Sequence, residues 1–345
     1  MRAVVFAGEG RVRVDDVTEP ALSDGDDAIV RVGLTSICGS DLHLLHGKTP
    51  GMRVGGTIGH EFVGRVTELG PEVSTIRTGD RVLGSFLIAC GACARCRARR
   101  FNFCTRRKAL GLGAVTGDLD GAQAEYVRVP SADTNLRVLD DSLSDDQALF
   151  GGDILTTGLY GAHLGDASAD DVAVVVGAGP VGLFAALGLR RAGARVIVID
   201  TDERRTRWAN EHLGLEVAAV ADEADKIVVE MTGERAGVAI DAVGAIPALK
   251  TALRCVREGG RVVVLGVYGA ERMELSLGRS WISGLDLRFA GMANVHAHWN
   301  DALEAVRSKE IDPTKLITHR LPLDEAEEGY ALFESREAMK VVLTP

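Results

Sequence analysis

The hydrophobic and polar positions of the chain follow two different patterns. Up to about residue 130, short apolar runs alternate with turn signals such as the Gly-Asp pairs at 25–26 and 79–80. Short strands separated by turns are typical of an antiparallel, barrel-like domain. The pattern predicts strands at 3–6, 28–32, 62–66 and 81–83.

From about residue 171 the pattern changes to apolar runs that alternate with amphipathic stretches. It predicts strands at 172–176, 195–199, 237–240 and 261–265, and helices at 181–191 and 203–213. Alternation of strands and helices predicts a parallel, doubly wound sheet, so the chain is of the α/β class. Helices near 299–308 and 326–333 and a strand at 340–343 are expected to return to the first domain.

Composition narrows the function classes. A length of 345 residues is typical of two domains. Basic residues crowd positions 95–108, but 39 basic and 49 acidic side chains give a net charge of −10, which argues against nucleic-acid binding. No apolar run approaches the ~20 residues of a membrane span, and the first residues lack a secretion signal. We therefore expect a cytoplasmic protein with reduced thiols.

Four cysteines lie within fifteen residues, at Cys90, Cys93, Cys96 and Cys104. This spacing lets four thiolates surround one tetrahedral zinc ion. Two disulfides are the alternative, but six cysteines in 345 residues are too few for a disulfide scaffold. We favour a closed zinc site, which leaves no position for a substrate.

A fifth cysteine, Cys38, stands apart from this run, upstream of the pair His60 and Glu61. A separate site with fewer protein ligands is typical of a zinc ion that takes part in a reaction. The sequence thus favours one zinc for structure and one for chemistry.

The predicted strand at 172–176 leads into a G-x-G-x-x-G turn formed by Gly177, Gly179 and Gly182, with Pro180 and Val181 between them. A helix follows, and its N-terminal N–H groups are suited to the phosphates of a dinucleotide. The next strand ends at Asp200, 18 residues after Gly182. An acidic residue at this place binds the hydroxyls of the adenosine ribose.

Asp200 favours NAD, because its carboxylate would repel the 2′-phosphate of NADP. Arg204 and Arg205 follow closely, and arginine can hold a phosphate. NADP therefore stays open as the less favoured cofactor. Asp241 and Gly244 end another strand of the predicted sheet and are expected to border the cofactor.

Six segments together resemble the zinc-dependent medium-chain alcohol dehydrogenases. They are residues 38–43, 59–64, 90–104, 121–126, 152–158 and 177–182. Their order and spacing are similar to those of the family over essentially the whole chain. The resemblance implies a GroES-like β-barrel catalytic domain interrupted by a Rossmann domain, with the active site in the cleft between them.

By position, the resemblance makes Cys38, His60 and Asp153 the ligands of the catalytic zinc. Many relatives have cysteine at the place of Asp153, whereas a branch that includes some secondary alcohol and formaldehyde dehydrogenases has aspartate. Zinc binds carboxylate oxygen at about 2 Å. Asp153 also stands where an aspartate could cap the helix that begins at Ile154, and it could do both.

The resemblance also implies roles for neighbouring residues. Glu61 would lie near the zinc and bind it transiently, although as a sequence feature it could equally be a buried ion-pair partner. Asp41 would receive the other N–H of the ligand histidine. Ser40 would contact the substrate oxygen, and His43 would pass the proton to solvent. Thr157 would contact the nicotinamide.

The implied domains are 1–152 with a zinc lobe at about 88–106, the Rossmann domain 153–290, and a return segment 291–345. The implied reaction is hydride transfer between an alcohol and NAD, since zinc lowers the pKa of a bound alcohol. A secondary or small primary alcohol is favoured, with a polyol or formaldehyde as alternatives. Relatives are dimers or tetramers, so we expect a homodimer or homotetramer.

Other readings have less support. A zinc-free reductase of the same superfamily would lack the three ligands that are present here. A non-catalytic zinc-binding interaction protein is the alternative from a different class.

His296 and His298 lie on a predicted loop, where we expect them to line the cleft or a subunit contact. Cys255 is expected to be a buried helix residue.

Overall fold

The computed structural model describes residues 1–48, 51–219 and 222–345. These residues form two compact units. Unit 1 comprises Met1–Asp153 and Asn294–Pro345, and unit 2 comprises Ile154–Ala293. Asp153 therefore belongs to the same unit as Cys38 and His60, one residue beyond the limit expected for the first domain.

The first part of unit 1 consists mainly of strands. They are β1 (Arg2–Phe6), β2 (Val12–Asp16), β3 (Ala28–Ser36), β4 (Phe62–Leu69), β5 (Arg81–Gly84), β6 (Leu87–Ile88), β7 (Lys108–Ala109), β8 (Tyr126–Val129) and β9 (Leu136–Val138). Short helices lie among them: α1 (Gly39–Leu45), α2 (Ala94–Arg97), α3 (Ala132–Asn135) and α4 (Asp145–Ala148), with 3-10 turns at Phe101–Phe103, Ala114–Thr116 and Leu149–Gly152.

Unit 2 alternates helices and strands, as its sequence predicts. Its elements are α5 (Ile154–Gly165), β10 (Val172–Val176), α6 (Pro180–Arg191), β11 (Arg195–Asp200), α7 (Glu203–Leu213), β12 (Glu216–Ala219), α8 (Ala224–Thr232), β13 (Ala236–Asp241), α9 (Ile246–Cys255), β14 (Val256–Val264), α10 (Leu277–Ile282) and β15 (Asp286–Phe289). The strands pair in parallel in the order β12-β11-β10-β13-β14-β15. The strand order reverses direction between β10 and β13, which is where sheets of this kind bind ligands.

The last part of the chain returns to unit 1. It contains α11 (Val295–Arg307), β16 (Ile317–Pro322), α12 (Ala326–Glu334) and β17 (Lys340–Thr344), with 3-10 turns at Pro313–Leu316 and Leu323–Glu325. The strand order is β16-β17-β3-β4-β5-β9, and β8 also pairs with β3. Val342 lies opposite Ser36, so the last strand borders the chain just before Cys38. No helix in the described ranges is long and apolar enough to cross a bilayer.

A hydrophobic core fixes the loops that carry the candidate ligands of unit 1. Ile37 and Ile58 precede Cys38 and His60 by one and two residues, and both are fully buried. They pack in one cluster with side chains of α12 and β17. Burying each such side chain is worth roughly 1.5–3 kcal/mol, so these two loops are held firmly in place.

The prediction that His296 and His298 lie on a loop is wrong. Both belong to the first turn of α11, which begins directly after Asn294. His296 is buried, with Nε2 2.8 Å from Asn135 Oδ1 and its ring centroid 4.9 Å from that of Phe101. Burial lowers the pKa of His296 to about 3, so the ring is neutral and packs α11 against the cysteine lobe. Cys255 ends α9 and is buried, as predicted.

Candidate functional site

Cys38, His60 and Asp153 come together in unit 1. Their donor atoms all lie within 4.8 Å of one another. Cys38 Sγ is 3.7 Å and His60 Nε2 is 3.2 Å from Asp153 Oδ2. Tetrahedral zinc, with bonds of about 2.0 Å to N and O and about 2.3 Å to S, places such atoms about 3.3–3.5 Å apart. The three side chains are buried and suit a zinc ion.

Pairing of two strands explains why distant residues meet here. Cys38 follows β3 and His60 precedes β4, and these strands are antiparallel neighbours with Thr35 opposite Phe62. The end of one strand therefore lies beside the start of the other. Asp153 follows the turn Leu149–Gly152 and precedes α5.

Ser40 and His43 lie on α1, which begins directly after Cys38. Ser40 Oγ is 3.1 Å from His60 Nε2, the same nitrogen that faces Asp153. The hydroxyl therefore borders the position that a metal would occupy. His43 is three residues further along and so lies on the same side of the helix.

A hydrogen-bonded network surrounds Asp41. The sequence analysis predicted only the contact of Asp41 with the ligand histidine. Asp41 Oδ2 accepts hydrogen bonds from Cys38 N (2.9 Å) and Gln123 Nε2 (3.1 Å), and Tyr330 Oη donates to Gln123 Oε1 (2.9 Å). Asp41 Oδ1 is 3.3 Å from His60 Nδ1, an electrostatic contact rather than a directed hydrogen bond. Gln123 and Tyr330 thus hold the carboxylate that faces the candidate ligand histidine.

Two of the three candidate ligands, Cys38 and His60, hold their protons tightly. Burial and the nearby carboxylate of Glu61 raise the pKa of the Cys38 thiol. Burial lowers the pKa of His60, but the carboxylates of Asp41 and Asp153 outweigh it and hold that pKa well above its usual range. A metal ion must displace these protons, so its binding releases protons and weakens in acid.

Glu61 forms a buried ion pair with Lys340, a residue that the sequence did not suggest. Lys340 Nζ and Ser36 Oγ both donate to Glu61 Oε2, and the Glu61 and Lys340 side chains are almost fully buried. Burial raises the pKa of the Glu61 carboxyl, and the Lys340 charge opposes that rise. Thr35 Oγ1 donates to the Glu61 carbonyl oxygen (2.7 Å). Glu61 is therefore held in place by two neighbouring strands.

The four cysteines of the dense run also converge. The Sγ atoms of Cys93 and Cys96 are 3.5 Å apart, those of Cys90 and Cys104 are 3.5 Å apart, and those of Cys93 and Cys104 are 4.0 Å apart. Four sulfurs on a tetrahedral zinc lie about 3.8 Å apart. Backbone N–H groups from residues 92–106 surround these sulfurs, and they lower the pKa of Cys93 to about 5. The lobe is thus suited to a second zinc.

The glycine turn of unit 2, formed by Gly177, Gly179 and Gly182, joins a strand to a helix, as its sequence predicts. Gly177 has a φ of +110°, and α6 begins at Pro180 with Gly179 before it. Proline suits this first helical position because its missing N–H is not needed there. A β-carbon on Gly182 would lie 2.0 Å from Gly177 O, so only glycine fits. Val181 lies in the first turn of α6.

The residues predicted around the adenosine lie at the end of β11 and in the first turn of α7. Asp200 Oδ2 accepts from Ala178 N (2.7 Å), which ties the carboxylate to the glycine turn. Arg204 pairs with Asp202 (3.2 Å), whereas Arg205 Nη1 lies 3.8 Å from the place of a β-carbon on Gly179. Thr157 lies in the first turn of α5. The side chain of Arg204 is therefore paired with Asp202, whereas that of Arg205 lies beside the glycine turn.

Comparison with known proteins places this architecture in a family. The family model for the alcohol dehydrogenase GroES-like domain matches residues 24–138, and that for the zinc-binding dehydrogenase matches residues 180–308. An uncharacterised zinc-type alcohol dehydrogenase-like protein of Bacillus subtilis is 35% identical, and the alignment covers 100% of both chains.

Solved structures are similar over the same extent. Alcohol dehydrogenase TADH from Thermus sp. ATN1 is 42% identical with a TM-score of 0.93, covering 100% of this chain and 99% of that one. A putative zinc-binding dehydrogenase from Sinorhizobium meliloti 1021 bound to NADP is 30% identical with a TM-score of 0.84, again covering 100% and 99%.

The chain belongs to the zinc-dependent medium-chain alcohol dehydrogenase family. The predicted fold, a GroES-like domain with a Rossmann domain, is confirmed. The protein is a zinc-dependent oxidoreductase that transfers hydride between a small-molecule alcohol and a nicotinamide cofactor.

Proposed function

We propose that the protein oxidises a secondary or small primary alcohol with NAD, giving the ketone or aldehyde, and that Cys38, His60 and Asp153 hold the catalytic zinc. The observation that carries the proposal is the convergence of these three buried donors within 4.8 Å. Zinc bound there supplies a Lewis acid that lowers the pKa of a coordinated alcohol. Three protein ligands leave a fourth position for substrate.

The neighbouring side chains orient the substrate and move its proton. Ser40, whose Oγ borders the metal position, contacts the substrate oxygen and accepts its proton. His43, on the same side of α1, passes the proton to solvent, since a histidine exchanges protons near neutral pH. Glu61, anchored by Lys340, lies one residue from His60 and adjusts the charge around the metal. Thr157 contacts the nicotinamide.

NAD rather than NADP is the proposed cofactor. Each Asp200 oxygen accepts one backbone hydrogen bond and keeps a second lone pair for a ribose hydroxyl. Asp202 and Glu203 add negative charge close by, which opposes a 2′-phosphate, and Arg204 is engaged with Asp202. The pyrophosphate is bound by the glycine turn and its surroundings, Gly177, Gly179, Pro180, Val181, Gly182 and Arg205.

The expected result with purified protein is two zinc ions per chain and reduction of NAD by 2-propanol or ethanol. The measurement is metal analysis together with steady-state kinetics over a panel that adds 2,3-butanediol, sorbitol and formaldehyde. A higher kcat/KM for sorbitol than for 2-propanol or ethanol would indicate a polyol dehydrogenase. A higher kcat/KM for formaldehyde would indicate an aldehyde as the substrate. A protein that binds neither NADH nor zinc would contradict the proposal.

The substitution Asp200→Ala tests the proposed preference for NAD over NADP. Wild type is expected to favour NAD over NADP in kcat/KM, and the variant should lose at least about tenfold with NAD while NADP is little affected or improved, since each of the two ribose hydrogen bonds to this charged group is worth about 1.5–3 kcal/mol. Glu216→Gln is the matched control, because it removes a carboxylate at the opposite end of the same sheet. A wild-type preference for NADP would refute the NAD assignment.

The proposed assembly is a homo-oligomer formed through unit 2. Large apolar side chains are exposed on α10 and on β15, the edge strand of the described sheet: Trp281 is 83%, Leu277 76%, Ile282 75% and Phe289 69% exposed. Patches of this kind mark interfaces. In a two-fold, antiparallel pairing of β15 with its copy about Leu287, Asp286 lies opposite the partner's Arg288. Opposite charges therefore meet in that register.

Phe289→Glu is expected to convert the oligomer to monomers, because in this register each new carboxylate would be buried opposite the partner's Leu285 without a cation. Light scattering after size-exclusion chromatography measures the mass. Val229→Glu, a charge placed on an exposed valine of α8, is the control and should leave the mass unchanged. An unchanged mass for Phe289→Glu would exclude this edge as the interface.

A further inference from the structure

A buried carboxylate lies at the end of β13, in unit 2. Asp241 is fully buried, and its Oδ1 accepts hydrogen bonds from Val243 N (3.0 Å) and Gly244 N (3.2 Å). Tyr268 Oη donates to Asp241 Oδ2 (2.7 Å) and lies 2.9 Å from Ala245 O. One carboxyl group therefore joins the segment after β13 to the segment after β14.

The two segments touch through their backbones. Gly244 has a φ of +76°, and a β-carbon there would lie 2.2 Å from Val267 O. Leu265 N and Gly266 N both donate to Asp241 O at 2.9 Å. Any change in the separation of residues 242–245 and 265–268 would therefore disturb several contacts at once.

The same two segments border the glycine turn formed by Gly177, Gly179 and Gly182. A β-carbon on Gly177 would lie 2.7 Å from Val243 Cγ2, and Ala242 N donates to Val176 O (2.9 Å). Val243 is 44% and Val267 56% exposed, although both are apolar and follow adjacent parallel strands. Ligands of such sheets bind outside the carboxyl ends of the strands, at the reversal of strand order that β10 and β13 form here.

We propose that Asp241 and Tyr268 are positioning residues for the nicotinamide cofactor. Their hydrogen bond fixes the separation of residues 242–245 and 265–268. Val243 and Val267 therefore present an apolar surface beside the glycine turn. A buried carboxylate is costly unless it is hydrogen-bonded, and Asp241 has a hydrogen-bond partner on each of its two oxygens. The inference rests on the proposed use of a nicotinamide cofactor and extends it to residues that touch no phosphate.

Tyr268→Phe tests the role because it removes only the hydroxyl. The dissociation constant of NADH for the zinc-loaded enzyme, measured by fluorescence titration, is expected to rise about 3–10-fold, which corresponds to one hydrogen bond. The KM for the alcohol at saturating NAD should change less than about twofold. Zinc content should not change, because no ligand of either metal site is altered.

Asp241→Asn is the conservative variant. Its Oδ1 still accepts from Val243 N and Gly244 N, its amide can donate to Tyr268 Oη, and that hydroxyl can donate to Ala245 O. NADH affinity should therefore stay within about twofold of wild type, whereas Asp241→Ala should weaken it at least as much as Tyr268→Phe.

Thr232→Val is the matched control for lost stability. It removes a hydroxyl that lies 2.7 Å from both Val228 O and Glu234 O and donates to one of them, just before β13 begins and so at the opposite end of the sheet. Its melting temperature should fall while NADH affinity is kept. Unchanged affinity in Tyr268→Phe, or an equal loss in Thr232→Val or Asp241→Asn, would overturn the inference. If wild type itself binds no NADH, the proposed function fails instead.

Discussion

Asp153→Ala is expected to remove the catalytic zinc and to lower kcat/KM at least about a thousandfold, while the cysteine lobe keeps its metal. Only Cys38 and His60 would remain as ligands, and two protein ligands do not hold zinc well against water. A thousandfold loss corresponds to about 4 kcal/mol, within what a metal contributes to a transition state. Metal analysis should show zinc falling from two to one per chain.

Two further variants separate ligand loss from damage to the fold. Asp153→Cys replaces the carboxylate with a thiolate that also binds zinc, so metal content should return even if activity changes. Asp145→Ala removes a half-exposed carboxylate paired with Arg81 in the same unit and should leave both metals and activity in place. Retained activity in Asp153→Ala would refute the assignment, and loss of both zinc ions would indicate unfolding instead.

The features that the sequence predicted are those encoded over short stretches. The strand, glycine turn and helix around Gly177 span twenty residues, and the four cysteines of the lobe span fifteen. The hydrophobic periodicity of the first segment and the cysteine spacing of the second determine the local conformation, largely independently of the rest of the chain. The helix start at Val295 was also visible in principle, because Asn294 is a favoured residue before a helix.

The contacts that the sequence could not predict join residues that are far apart. Lys340 meets Glu61 across 279 residues, and Tyr330 meets Gln123 across 207. Both contacts arise because β17 returns to pair with β3 and α12 packs against Ile37, just after β3, and no local pattern specifies which buried side chain will face which. A lysine at the start of an apolar strand, as in 340–343, was the one available signal, since lysine is rarely buried unless paired.

Lys340→Met is expected to be the most destabilising single change near the site. It would leave the Glu61 carboxylate buried beside Ser36 without its cation, and breaking a buried ion pair in this way costs about 3–5 kcal/mol. Burial already raises the pKa of Glu61, so without Lys340 that pKa should rise further and the carboxyl should take up a proton. For a unit of this size the melting temperature should fall by roughly 10 °C.

Differential scanning calorimetry of a variant series measures the effect. The double variant Glu61→Gln/Lys340→Met should recover most of the lost stability, because it leaves no buried charge without a partner. Arg320→Met is the matched control: Arg320 lies on β16, the strand beside β17, and its exposed pair with Asp146 of α4 should be worth less than about 1 kcal/mol. Equal losses for Lys340→Met and Arg320→Met would mean that the Glu61–Lys340 pair is not what holds this part of unit 1 together.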